Sequence, residues 1–366
     1  MHSKKGDEGL VETGTVNIGS LTLESGIVLD QVHLAYEWAR NEGAPTVLVC
    51  HALTGHQHTI GNTEKRGWWS DLIGTDKYID TTKYAVISFN VLGGCNGSTG
   101  PTTIDPKTNK SYRASFPDIT IRDMVHAERK ALEHLGIVHL HTVIGGSLGG
   151  MRALEWGILY PTWMDLLIPI AVTPALSAYG IAFNYIGLHA IENDEGYANG
   201  QYASATDVKG FETARMAGMV TYRSDQLFND RFARITSKQG DFEVESYLGY
   251  VSKKISTYFD PNSYCTLLRA LNTHDVARER DGLQEAAEKI QARTVFLGFT
   301  HDLIYPPETI RSFAHLVPNA SFCLINTKFG HDGFLTEFEK WGPFIKQFME
   351  VAICRQSQPQ FLASVR

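Results

Sequence analysis

One stretch of this chain admits few folds. Val143-Ile144-Gly145-Gly146-Ser147-Leu148-Gly149-Gly150-Met151 leaves a β-branched run at Thr142 to Ile144 and enters Met151-Arg152-Ala153-Leu154-Glu155-Trp156, which opens a helix. Between strand and helix lies Gly-x-Ser-x-Gly. Glycines on both sides of a serine let two backbones approach closely and leave the serine free to take a strained conformation. A strand-to-helix turn of this kind, a nucleophile elbow, raises the serine Oγ above the strand end. The backbone N–H of Leu148, first in the helix, then faces a developing oxyanion. A turn that only packs a helix on a sheet uses the same pattern, so the rest of the chain must decide.

An elbow needs a sheet covered on both faces. Residues 46–50, 84–89, 166–172, 294–299 and 320–325 are apolar runs of strand length, which suits buried parallel strands. An amphipathic helix over 119–135, capped by Thr120 or Asp118 and stopped at Gly136, precedes the elbow strand and gives the strand, helix, strand order of a parallel sheet. Pro169 inside its run predicts a bulge or irregular pairing. Upstream, 15–18 and 21–23 read as a short hairpin across Gly19-Ser20, and with the alternating segment 32–38 they form an antiparallel margin. Gly67-Trp68-Trp69 is expected to open a short helix. From 173 to 292 the pattern is helical with no strand-length apolar run, as in an inserted lid, although a separate interaction module has the same texture. A helix over 338–351 closes the chain, and residues 1–12 and those from Gln356 read as loose ends. The division is a discontinuous α/β core, 1–172 and 293–366, with a mostly parallel central sheet, and a helical lid, 173–292.

Charge narrows the partners. The formal net charge of −7 over 366 residues argues against a nucleic-acid or anionic-membrane binder, which needs a basic field. Small-molecule substrates are the expected partners. No apolar stretch is long enough to span a bilayer, and the polar N-terminus lacks a signal core, so the expectation is a cytoplasmic protein. The five cysteines include no C-x-x-C pair and read as reduced thiols, with Cys50 and Cys323 as small hydrophobes. The 14 histidines form no H-E-x-x-H spacing, and no metal is expected.

Three loops complete the elbow. A serine hydroxyl is a poor nucleophile until an imidazole takes its proton, and a carboxylate fixes the tautomer of that imidazole. Thr300-His301-Asp302 follows one late strand and Gly330-His331-Asp332 the next, so Ser147, Asp302 and His331 stand at three strand ends in the serine, acid, histidine order of α/β-hydrolases. Each alone has a plainer reading: Asp302 caps a helix, His331 satisfies a loop. His51-Ala52-Leu53-Thr54-Gly55 follows the 46–50 strand, where the Leu53 N–H is the partner of Leu148 in an oxyanion hole; His51 bonding the backbone of a plain loop is the alternative. The glycine-rich segment 90–101 lacks a G-K-[ST] and is read as a rigid loop at the pocket mouth.

The same segments resemble one family. Gly145 to Met151 with Ala153-Leu154-Glu155-Trp156, the His51 to Gly55 loop, Asn90-Val91-Leu92-Gly93-Gly94-Cys95 with Gly97-Ser98-Thr99-Gly100-Pro101, Asp302-Leu303 with Pro306, and Gly330-His331-Asp332-Gly333-Phe334-Leu335 are similar to homoserine O-acetyltransferases of the α/β-hydrolase type, over roughly 14–350. The resemblance implies a ping-pong acyltransferase of methionine biosynthesis. Ser147 would take an acetyl group from acetyl-CoA, the donor substrate, with no permanently bound cofactor, and L-homoserine would attack the acyl-enzyme. It implies His331 as base and acid, Leu53 and Leu148 as oxyanion donors, and a homodimer joined through the lids. It also implies that Asp332 binds the acceptor ammonium, though a carboxylate beside the histidine can equally be structural.

One departure bears on the acceptor. Family members carry Phe-Asn-x-x-x-Arg-x-Ala-Ile in the lid, the arginine binding the substrate carboxylate, whereas Phe183-Asn184 to Ala190-Ile191 here places Leu188 at that position. Leucine offers none of the charge-assisted hydrogen bonds of a guanidinium. His189, Arg152 or Arg223, in Thr221-Tyr222-Arg223-Ser224, are the replacement cations, and Tyr222 and Arg223 join Asp332 as substrate-binding candidates. Transfer to another acceptor, a succinyl-CoA donor, and an esterase or thioesterase using water are the alternatives.

Overall fold

The computed structural model describes residues 11–238 and 240–356. Eight strands make one sheet: β1 (Val11–Thr22), β2 (Val28–Ala39), β3 (Thr46–Cys50), β4 (Ala85–Phe89), β5 (Leu140–Gly146), β6 (Met164–Ile170), β7 (Arg293–Phe299) and β8 (Ala320–Ile325), in the spatial order β1-β2-β4-β3-β5-β6-β7-β8. β2 runs antiparallel to both β1 and β4, and every other pairing is parallel. This is the expected α/β fold, with its antiparallel margin. The site is built where the parallel strands end at their carboxyl termini, as in open α/β sheets generally.

Alternation along the strands explains the continuous apolar runs. Leu48, Cys50, Ile87, Phe89 and Val143 join one apolar cluster, and Val47, Val49, Val86 and Ile144 join another, so successive residues fill opposite faces of the sheet. The first cluster holds α1 (Ile121–His134), which packs on α2 (Leu148–Leu159). Thr120 and Asp123 cap α1 reciprocally, and Gly136, with φ +80°, ends its last turn.

Between β6 and β7 the chain is helical: α3 (Ala178–Glu192), α4 (Lys209–Tyr222), α5 (Asp225–Phe232), α6 (Glu243–Ile255), α7 (Pro261–Asn272) and α8 (Leu283–Glu288). Its apolar residues Ile191, Phe211, Tyr264 and Leu267 belong to the same cluster as Phe89 and Val143, so this segment shares the core of the sheet. Buried Arg280, on the return path, holds Glu155 of α2 with both guanidinium ends, Nη1 at 3.0 Å and Nη2 at 2.5 Å. α9 (Pro307–Ala314) adds Ile310 and Phe313 to that same cluster, whereas α10 (Phe338–Gln356) covers the opposite face, placing Trp341 against Trp69 and Phe299.

Three expectations need correction, and a fourth holds in one of its two forms. Residues 15–23 form no hairpin: β1 runs straight through Gly19, where its register with β2 slips, and the turn lies beyond Thr22. The irregularity is a bulge absorbed by glycine at φ +73°. Val11 and Glu12, expected loose, pair with Ala39 and Trp38, while residues 1–10 and 357–366 lie outside the described part. Trp68 and Trp69 sit in turns, Trp69 fixed by its indole N–H to the Phe334 carbonyl at 3.0 Å, and form no helix. Of the two outcomes expected at Pro169, the irregular pairing is found and the bulge is not. The register of β6 with β5 and β7 is unbroken, and the ladder to β7 simply skips 168 and 169, where the missing proline N–H has nothing to donate.

Candidate active site

Ser147 stands between β5 and α2 with φ 59° and ψ −122°, a conformation that costs a residue with a Cβ on the order of 1–3 kcal/mol. The elbow holds it because Gly145, Gly146, Gly149 and Gly150 around it have no side chains. A Cβ on Gly149 would lie 2.0 Å from the Cys50 carbonyl oxygen, so β3 and the start of α2 touch backbone to backbone. Ser147 is 8% exposed and opens into a cavity of about 270 Å³ that Leu53, Tyr305 and His331 also line.

His331 follows β8 and Asp302 follows β7, and their side chains meet: His331 Nδ1 lies 2.8 Å from Asp302 Oδ2. The other carboxylate oxygen accepts the backbone N–H groups of Ile304 at 3.0 Å and Tyr305 at 2.9 Å, which fixes the carboxylate in place. Burial pushes the His331 imidazole down, but the charge and hydrogen bond of Asp302, with a further push from Asp332, carry it above its ordinary value. The geometry therefore presents Nε2 to the cavity with Nδ1–H held by a carboxylate. Among the described residues no hydrogen bond yet joins Ser147 to His331. Ser147 instead meets the hydroxyl of Tyr305, whose ring packs edge-on against the imidazole at 5.0 Å. Catalytic hydrogen bonds of this kind commonly close only with substrate in place.

Leu53 and Leu148 are both buried, and neither backbone N–H has a hydrogen-bond partner among the described residues. Leu148 begins α2, so its N–H has no carbonyl within the helix to meet. The 90–101 segment, expected at the pocket mouth, does not line the cavity. It lies behind the His51 turn with Asn90 to Gly94 and Ser98 to Gly100 buried.

The substrate-binding candidates Tyr222, Arg223 and Asp332 all line the cavity. Arg223 Nε lies 3.0 Å from Asp332 Oδ2, and its Nη1 binds the hydroxyl of Tyr247. Leu188 does not line it. It is buried in the apolar cluster, one turn beyond Asn184, which does line the cavity. His189 is exposed at the end of α3, and Arg152 is locked to Glu128, so neither replaces an arginine there. Besides Arg223, which is paired with Asp332, the cavity holds Arg215 of α4, whose Nε is buried without a hydrogen-bond partner and which enters no ion pair among the described residues. No motif marks it. Its only signal in the sequence is a single charge within the small and apolar run 213–221.

The cysteines at 50, 95, 265 and 323 are free, Cys354 lying where side chains are not described, and no group of metal-ligating residues converges among the described residues. No described helix is long and apolar enough to cross a membrane.

A family model for the alpha/beta hydrolase fold matches residues 45–338. A homoserine O-acetyltransferase of Symbiobacterium thermophilum is 42% identical, across 90% of this chain and 92% of that one. The crystal structure of a homoserine O-acetyltransferase from Staphylococcus aureus superposes with a TM-score of 0.79 at 31% identity, covering 97% of this chain and 98% of the other. Esterase E22 superposes with a TM-score of 0.85 at 26% identity, covering 93% and 100%. With the elbow, the acid and the histidine on the strand ends of this fold, the chain belongs to the homoserine O-acetyltransferase family of α/β-hydrolases.

Proposed function

We propose that this protein moves an acetyl group from acetyl-CoA to the side-chain hydroxyl of L-homoserine by a ping-pong route through acetyl-Ser147, an early step towards methionine. His331 Nε2 takes the proton of Ser147 Oγ, which attacks the thioester carbonyl. The oxyanion of the tetrahedral intermediate faces the N–H groups of Leu53 and Leu148, and collapse releases the CoA thiolate, protonated by His331. His331 then deprotonates the homoserine hydroxyl, which attacks the acyl-serine; the second collapse frees O-acetylhomoserine and returns the proton to Ser147.

The observation that carries this reading is the pairing of charges beside the nucleophile. Arg215, with its unused Nε, and Asp332 line the same cavity as Ser147 and His331. A guanidinium and a carboxylate match the carboxylate and ammonium of an amino acid, whereas a simple ester needs neither. Water as the acceptor is the second reading, favoured by the likeness to esterase E22. Apolar side chains left exposed on α3 and α6, Tyr185 at 62% and Tyr250 at 60%, support a homodimer through the helical segment. Incubated with acetyl-CoA alone, the protein is expected to gain the mass of one acetyl group, and Ser147→Ala to gain none. An adduct persisting in Ser147→Ala would refute the nucleophile.

A further inference from the structure

His51 is buried one residue before the turn that carries Leu53, and its ring is held from both sides. Nδ1 lies 2.7 Å from the carbonyl oxygen of Ala52, and Nε2 lies 3.0 Å from the backbone nitrogen of Val91. A carbonyl only accepts and a backbone amide only donates, so the ring is the neutral Nδ1–H tautomer. Burial and the nearby Arg152 guanidinium, which hold its pKa well below the usual imidazole range, agree.

The bond to Ala52 falls on a particular peptide. The carbonyl of Ala52 and the N–H of Leu53 belong to one planar trans unit and point in opposite directions. Pinning the carbonyl therefore aims the N–H. The Ala52 oxygen also accepts from Gly55 N–H at 2.9 Å, which fixes the same plane a second time. One turn into α2, Arg152 Nη2 donates to the His51 carbonyl at 2.5 Å, while its Nη1 is paired with Glu128, itself held by the Trp156 indole N–H at 2.9 Å. Arg152 and Glu128 are both almost fully buried, a placement that is expensive to desolvate. Arg152 rides on the helix whose first N–H is that of Leu148, so this pair links the two halves of the oxyanion site.

We infer that His51 is a positioning residue for the oxyanion hole: its Nδ1–H orients the Ala52–Leu53 peptide, and Arg152, through the His51 carbonyl one peptide earlier, ties the same turn to the elbow helix that carries the Leu148 N–H. The inference rests on the acyl-serine reading above. It gives the 90–101 segment a task, because Val91 N–H, with the Asn90 amide 3.4 Å away, is what holds the ring in its tautomer.

The test uses p-nitrophenyl acetate, an activated ester that acylates Ser147 without any assumption about the natural donor. His51→Phe, which keeps a ring and removes both bonds, is expected to slow acetylation roughly a hundredfold, as losing an oxyanion donor does. The KM for L-homoserine should stay unchanged. In isotope-edited infrared spectra the acetyl-Ser147 carbonyl band should move to higher wavenumber, because its hydrogen bond weakens. His51→Gln, whose amide offers a donor and an acceptor, should recover most of the rate and the band position. A rate and band in His51→Phe equal to those of the unmodified protein would overturn the inference, as would a loss that His51→Gln does not relieve. Side-chain ¹⁵N NMR of the unmodified protein decides independently of any variant: Nδ1–H without titration across neutral pH supports the inference, and Nε2–H or a titrating ring sinks it. Failure of the unmodified protein to form any acetyl adduct would count instead against the acyl-serine reading.

Discussion

Arg215 and His331 carry the site's charge balance. If Arg215 binds the acceptor carboxylate, Arg215→Met removes charge-assisted hydrogen bonds worth about 1.5–3 kcal/mol each, so the KM for L-homoserine should rise roughly ten- to hundredfold. Acetylation of Ser147 should be untouched, because that half-reaction has no acceptor in it; an unchanged KM in steady-state assays would remove Arg215 from the acceptor site. His331 makes a prediction about pH. Its base form must take the serine proton, and Asp302 and Asp332 raise its pKa above the ordinary 6.5, so protonation persists to higher pH. The burst rate of acetylation should therefore climb with pH through a limb above 6.5, and a limb below that value would contradict the Asp302–His331 pairing. These two residues were unequally legible. His331 sits in a loop at a predicted strand end and completes an ordered set of three, whereas Arg215 is one of the chain's 33 lysines and arginines and stands on a helix whose small and apolar pattern marks no site. Only folding shows that its guanidinium enters the cavity unpaired.

The elbow joins β3, β5 and α2 through contacts that no side chain can occupy. In Gly149→Ala the new Cβ would meet the Cys50 carbonyl carbon at 2.6 Å as well as its oxygen, and both are backbone atoms that cannot rotate away. We expect a loss of about 3 kcal/mol in denaturant unfolding, the upper part of the range for overpacking, with activity falling in parallel. Unchanged stability would mean that strand and helix are not in contact there. The elements of the parallel sheet were readable because burial on both faces makes their runs continuously apolar and of strand length. The departures came from backbone effects that periodicity does not encode. Gly19 looked like a turn and is a bulge, because the partner strand β2 continues past it. Trp68 and Trp69 looked like the start of a helix and are held in turns by tertiary bonds, Trp68 to the His56 carbonyl and Trp69 to that of Phe334.

At the scale of the molecule, the helical segment between β6 and β7 closes over the strand ends and contributes Arg215, Tyr222 and Arg223, while the sheet contributes Ser147, Asp302 and His331. The Arg223–Asp332 pair bridges the two, and Ser224 reinforces it through the Lys328 carbonyl. The 90–101 segment was legible as a family signature but not as a position, because a glycine-rich loop that holds a turn from behind reads the same as one that lines a pocket. The central claim is that the acyl group leaves Ser147 for homoserine and not for water. Free thiol released from acetyl-CoA measures that directly. The expected result is one equivalent per protein chain without acceptor and sustained turnover once L-homoserine is added; equal release with and without it would contradict the claim.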